Sequence, residues 1–125
     1  MLNLVKTCFV PATIRDLSEN IRENVRNILT ENESILCTFK CLNVAAFFTS
    51  KRMIFTRIDN SYDLNEFEDL DFISYKCINK YTLSHSKKLN KTNVTLRING
   101  IPIFLTEMSS ERATELVQHI GNLTQ

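Results

Sequence analysis

The chain has 125 residues, 43% of them hydrophobic and 23% charged, and a formal net charge of +1. That length supports one domain with a single core, and so balanced a charge supplies no global attraction to nucleic acid or acidic membrane, so any electrostatic site must be local. No stretch approaches the roughly 18 apolar residues of a membrane span, and the apolar opening of residues 1–12 lacks the basic start and small-residue cleavage site of a secretory signal, so a cytoplasmic location is expected.

The first predicted element is a helix. Ile14, Leu17, Ile21, Val25, Ile28 and Leu29 recur at three- and four-residue steps with charges between them, which predicts an amphipathic helix over residues 13–30. Pro11 lies just upstream, Thr13 or Asp16 suits the first turn, and residues 30–34 (TENES) form a polar exit. From Ile35 the period changes to two: Ile35, Cys37, Phe39 and Cys41 fall on one face of a strand and Leu36, Thr38, Lys40 and Leu42 on the other. Further strands are predicted at about 44–49, 53–58, 72–78, 80–85, 93–98 and 101–106. Asn99-Gly100 between the last two is a two-residue hairpin signal, because a type I′ turn needs positive φ at both positions. Pro102 lacks a ladder donor and belongs at an edge or a strand start. The chain closes on a second helix that Ser109 or Ser110 can cap, with a stripe of Ala113, Leu116, Val117 and Ile120 and with Gly121 as the residue just past its end. With no strand-helix-strand alternation, parallel pairing is not expected.

Candidate sites are few. Cys37 and Cys41 share a strand face about 13 Å apart at roughly 3.3 Å per residue, too far for a disulfide. Without a C-x-x-C pair, Cys8, Cys37, Cys41 and Cys77 all read as small core hydrophobes, and neither a metal nor a cofactor is expected. His85 stands between two serines, but neighbouring strand side chains point to opposite faces, so no catalytic triad results. His119 suits the last turn of the final helix as a partner for its dipole. Asp59, Ser61, Asp63 and Asn65 alternate as in a calcium loop, yet Leu64 replaces the required Gly and Leu70 the bidentate Glu. Asn90, Asn93 and Asn122 fit the glycosylation pattern, which has no meaning without secretion. Residues 49–52 (TSKR) read as a hairpin turn in which Lys51 and Arg52 interrupt two apolar runs.

The charges are segregated. Asp59, Asp63, Glu66, Glu68, Asp69 and Asp71 occupy residues 59–71 without a cation, whereas Lys76, Lys80, Lys87, Lys88, Lys91 and Arg97 occupy residues 72–106 without an acid. Such blocks form solvated faces, or they let the acidic loop of one subunit meet the basic strands of the next. Residues 87–91 (KKLNK) with Tyr75 and Tyr81 also offer cations and aromatic faces to nucleic acid, although apolar strands account for the tyrosines by burial.

Several of these residues resemble a known family. Thr49, Ser50, Lys51, Arg52, Met53, Ile54 and Asp59 resemble the strand-turn-strand signature of the bacterial pleckstrin-homology domains, in which Thr, a small polar residue, Lys and Arg precede an apolar strand ending in Asp. Ile73, Tyr75 and Ile78 resemble the next element, an Ile-x-Tyr-x-x-Ile strand. The resemblance covers about residues 33–121; Asn32-Glu33 stands where the family often has Gly-Glu. It implies a seven-stranded antiparallel barrel or sandwich over residues 33–125 capped by its C-terminal helix; the helix at 13–30 lies outside the resemblance, and residues 1–32 are expected to add an N-terminal segment and helix to one compact domain. Eukaryotic relatives grip phosphoinositides with basic residues on a long first hairpin. Here the corresponding connection at Leu42-Asn43 is tight and has only Lys40 beside it, so that activity is not expected. Bacterial members form ring-like oligomers through their sheets, and the resemblance therefore implies self-association.

The expected function is a non-enzymatic module that binds a protein partner or itself through Lys51, Arg52, Lys76, Lys80, Lys87, Lys88 and Lys91, with Asp63, Glu66, Glu68, Asp69 and Asp71 as the acidic counterpart. The alternative is a nucleic-acid or anionic-membrane binder that uses Lys76, Lys80, Lys87, Lys88 and Lys91.

Overall fold

A computed structural model describes residues 8–58 and 69–124. The strands are β1 (Cys8–Ala12), β2 (Ile35–Lys40), β3 (Val44–Thr49), β4 (Met53–Arg57), β5 (Leu70–Ile73), β6 (Ile78–Ser86), β7 (Lys91–Ile98) and β8 (Ile101–Met108), and the helices are α1 (Glu19–Ile28) and α2 (Ser110–Thr124). The strands form one curled sheet in the order β5-β4-β3-β2-β1-β8-β7-β6. Its concave face and α2 enclose the main core, which includes Phe9, Phe39, Phe48, Phe55, Leu96, Leu105, Leu116 and Ile120.

Among the described residues the sheet has eight strands, one more than expected, and the addition is β1. Only Phe9 of its five residues is buried and Pro11 interrupts it, so it carries no alternation to read. It pairs antiparallel with β2 (Pro11 opposite Phe39) and parallel with β8 (Phe9 opposite Leu105). The expectation of purely antiparallel pairing is thereby corrected. The parallel contact joins segments almost a chain length apart, without a strand-helix-strand unit to announce it.

Helix α1 is shorter than the predicted 13–30. Ser18 stands at its N-cap and accepts from the Ile21 N–H at 3.4 Å, Leu17 and Leu29 on either side are extended, and residues 14–16 form a separate 3-10 turn. The predicted stripe nevertheless does its work: Leu17, Ile21 and Val25 pack on Ala45, Phe47 and Ile54, making a second core on the convex face. Strand β3 is consequently buried on both faces, Val44, Ala46 and Phe48 toward the main core and Ala45 and Phe47 under α1. A register shift between Ile35 and Cys37 in β2 sends Ile35 to the convex side, so it does not share a face with Cys37 as period two alone predicts.

The predicted strands 72–78 and 80–85 become β5, a 3-10 turn at Tyr75–Cys77, and the nine-residue β6. Ser74 caps the turn by accepting from the Lys76 N–H at 3.1 Å, and the buried Tyr75 Oη donates to the Thr49 carbonyl at 2.6 Å. The Asn99-Gly100 hairpin is borne out, with φ of 52° and 84° and Ile98 opposite Ile101. Pro102 is the second residue of β8, and β1 reaches only Phe104 and Leu105, so its missing donor faces no strand. Gly121 does not end α2, which continues to Thr124 and brings Leu123 onto the core. A Cβ at Gly121 would stand 3.3 Å from Tyr81 Oη, so the residue is small because the helix runs close to β6.

Candidate interaction surface

The turn between β3 and β4 is a clasp. Glu33, its side chain wholly shielded from solvent, receives the Thr49 hydroxyl at 2.6 Å, the Thr30 N–H at 2.9 Å, the Thr30 hydroxyl at 3.1 Å, Arg52 Nε at 3.0 Å and Arg52 Nη2 at 3.1 Å. Burial pushes this carboxyl upward, but the hydrogen bonds from Thr49, Thr30 and Arg52 outweigh it and hold Glu33 down at about 2. Arg52 also donates to the Ile28 carbonyl at 2.9 Å and lies 4.6 Å over the Phe72 ring. Lys51 Nζ donates to the Glu31 carbonyl at 2.9 Å and Thr30 Oγ1 at 3.3 Å. Both cations of the TSKR turn therefore tie it to the exit of α1, and the hydrogen bonds of Arg52 are spent on that closure.

The other cations gather at the far edge of the sheet. Lys80 lies on β6 opposite Arg97, Lys87 and Lys88 occupy the β6–β7 turn, Lys91 begins β7, and Lys76 sits exposed in the 3-10 turn. Of the acidic counterpart, Asp69 is exposed before β5 and Asp71 half-buried within it, at the opposite edge of the sheet. Asp63, Glu66 and Glu68 lie outside the described residues, as does most of the segment weighed as a calcium loop.

Strand β6 ends the sheet, and every residue of it after Ile78 is exposed except the half-buried Ser86. Tyr81 and Leu83 face Leu96 and Val94 across the ladder, so both lie on the concave side, yet 37% and 46% of their surfaces stay open to solvent. Beyond them the turn carries Leu89, 69% exposed, among the lysines. The charges of this edge were legible in the sequence. Its exposed apolar side chains were not, because alternation cannot tell a covered face from an uncovered one.

The remaining chemistry is muted. Cys37, Cys41 and Cys77 pack beside the core as half-buried thiols, whereas Cys8 is exposed, contrary to the expectation for all four. Cys37 lines a groove of about 360 Å³ with Leu36, Met108, Arg112, Leu116 and His119, but burial pushes its thiol up to about 12 against the opposing charge of Arg112, which leaves it protonated and unreactive near neutrality. Burial likewise raises the Tyr75 hydroxyl, with smaller contributions from Cys37 and Glu33. His85 Nδ1 meets Thr92 Oγ1 at 2.8 Å. His119 is no helix-end partner: its Nε2 lies 3.1 Å from the Thr49 carbonyl, which only accepts, so Nε2 carries the proton, and its ring stands edge-on to Tyr75 at 5.3 Å. Among the described residues no three His, Cys, Asp or Glu side chains cluster as metal ligands.

The chain is similar in structure to three solved bacterial proteins. A protein with a pleckstrin-homology domain from Shewanella loihica PV-4 superposes with a TM-score of 0.60 at 15% identity, over 95% of this chain and 99% of that one. The fold is that of the bacterial pleckstrin-homology domains. A pleckstrin-homology domain from Shewanella amazonensis SB2B gives 0.52 at 19% identity, over 85% and 96% of the two chains. A pleckstrin-homology-domain protein from Exiguobacterium sibiricum 255-15 gives 0.59 at 10% identity over 94% of this chain, which spans 62% of that longer one. No family model and no curated protein matches the sequence. The β2–β3 connection, expected as the counterpart of the long first hairpin of eukaryotic relatives, closes over residues 41–43 with the apolar Leu42 97% exposed and no cation in the turn. No helix among the described residues is long and apolar enough to cross a membrane.

Proposed function

We propose that this protein is a non-enzymatic interaction module that takes an extended segment of a protein partner onto the edge of β6, and that a second copy of the chain is such a partner. The observation that carries the reading is β6 itself, nine residues long, terminal in the sheet and exposed almost throughout, against four residues in the opposite edge strand β5. A long open edge is a template for strand addition, and the register irregularity of β6 is confined to its start between Ile78 and Lys80, so residues 80–86 pair regularly with β7. Tyr81 and Leu83 would supply apolar contact on the concave side while Lys80 and Arg97 favour an acidic segment on the convex side. The acid-rich residues 59–71 of another copy have that composition, and such a head-to-tail contact closes into a ring when the rotation allows.

The test is the mass in solution by light scattering after size exclusion. The wild-type chain is expected to run as an oligomer, and Leu83→Lys, which puts a charge on a half-open site at the edge, is expected to shift it toward monomer. A strictly monomeric wild type at high concentration overturns self-association.

A further inference from the structure

We propose that the β6–β7 hairpin tip docks this protein on anionic lipid bilayers, Leu89 entering the headgroup region while Lys87, Lys88 and Lys91 meet the lipid phosphates. Residues 87–90 form the turn, with the Leu89 N–H donating to Ser86 Oγ at 3.3 Å and Asn90 in the left-handed region at φ 50°. The result is an aliphatic side chain 69% open to water, with the exposed cations Lys87 and Lys88 at the two positions before it and a third, Lys91, two positions after it. A leucine in that position gains nothing from the protein's own core, whereas in a bilayer interface it is removed from water while the flexible lysine stems keep their charges at headgroup level. Residues 72–106 contain no acid to oppose the field. The acids on the adjoining elements are Glu107, whose N–H donates to Asn93 Oδ1 on β7, and Glu111 and Glu115 on α2. Nucleic acid shares the need for cations, but its binding rewards a stacking plane, and the tip offers an aliphatic chain instead; Tyr81 is six residues back along β6, beside α2.

The leucine and the basic cluster supply the two kinds of contact, apolar and electrostatic, that reversible attachment to an anionic surface combines. The experiment is cosedimentation of the full chain with vesicles of phosphatidylcholine, with and without a one-third share of phosphatidylglycerol, at low and high salt. Binding is expected only to the anionic vesicles and to weaken with salt. Each lysine near such a surface is worth about five-fold, so Lys87→Gln with Lys88→Gln should lower the partition coefficient about 30-fold. Leu89→Ser should lower it further, and Leu89→Trp should show an emission blue shift on binding. All three positions are exposed in the turn, and circular dichroism checks that each variant folds. Equal binding to both vesicle types, no binding at low salt, an unchanged partition in the double lysine variant, or an unshifted tryptophan overturns the proposal. So does binding to single-stranded nucleic acid, lost with the same lysines, in place of binding to vesicles.

Discussion

Replacing Glu33 by Gln tests the clasp between α1 and the β3–β4 turn. The Glu33 carboxylate is held at about 2 rather than its ordinary 4.5, and that difference corresponds to about 3 kcal/mol of folding stability at neutral pH. That difference is the net of burial, which opposes ionisation, and the hydrogen bonds from Thr49, Thr30 and Arg52, which outweigh it. Because the folded-state value is depressed, the unfolded chain binds the extra proton between the two values. The contribution is therefore complete above about pH 4.5 and disappears as the pH falls toward 2. Urea unfolding measured from pH 7 to pH 2 should show Glu33→Gln less stable than wild type by about 2–3 kcal/mol at pH 7, since the guanidinium of Arg52 loses its charged partner. The gap should close as the wild type protonates, and the variant's own remaining acid sensitivity serves as the control for every other carboxylate. A gap that stays constant from pH 7 to pH 2 would show that the carboxylate contributes shape and not charge, and would refute the reasoning.

Two further outcomes follow from the core and the thiols. Gly121→Ala places a methyl 3.3 Å from Tyr81 Oη, the far end of a partly exposed side chain that can move; in a Tyr81→Phe background, where that oxygen is gone, thermal melts should show the helix propensity gain of up to about 1 kcal/mol, and destabilisation in both backgrounds would refute the close-approach account. With iodoacetamide near neutral pH, mass spectrometry should find the exposed Cys8 alkylated first and Cys37 only after unfolding, because burial keeps the Cys37 thiol at about 12; equal rates in the native protein would contradict that burial.

What the sequence disclosed, and what it withheld, divides by the range of the interaction. The stripe of Leu17, Ile21 and Val25, the Asn99-Gly100 turn and the Ala113-Leu116-Ile120 stripe are local patterns, and each occupies the face that its period assigns. Strand β1 escaped because its partners, β2 and β8, lie far along the chain on either side and only Phe9 needs burial. Glu33 left a faint local trace, the three-residue step from Thr30 whose N–H and hydroxyl it receives, but its bonds to Thr49 and Arg52 span 16 and 19 residues and have no periodic signature. Lys51 and Arg52 looked like any cations in a turn for the same reason. Only the return of β3 and β4 against the exit of α1 separates them from the lysines of the β6 hairpin.

That separation constrains any assembly built on β6. Two β6 edges meeting about a twofold axis would bring Lys80 and the lysines of one hairpin against those of its copy, and like charges facing each other across strands are destabilising. The edge that is most open in backbone terms is thus blunted against its own image by the side chains it carries. An acidic segment would meet no such opposition, so the proposed interface would discriminate between partners by sign before any side-chain fit is tested. In a head-to-tail arrangement whose acidic segment pairs with residues 80–85 alone, the hairpin tip of each subunit would stand outside the strand-to-strand contact. The lysines of the turn then keep their solvent exposure, and strand addition at β6 and bilayer contact at Leu89 are compatible on the same hairpin.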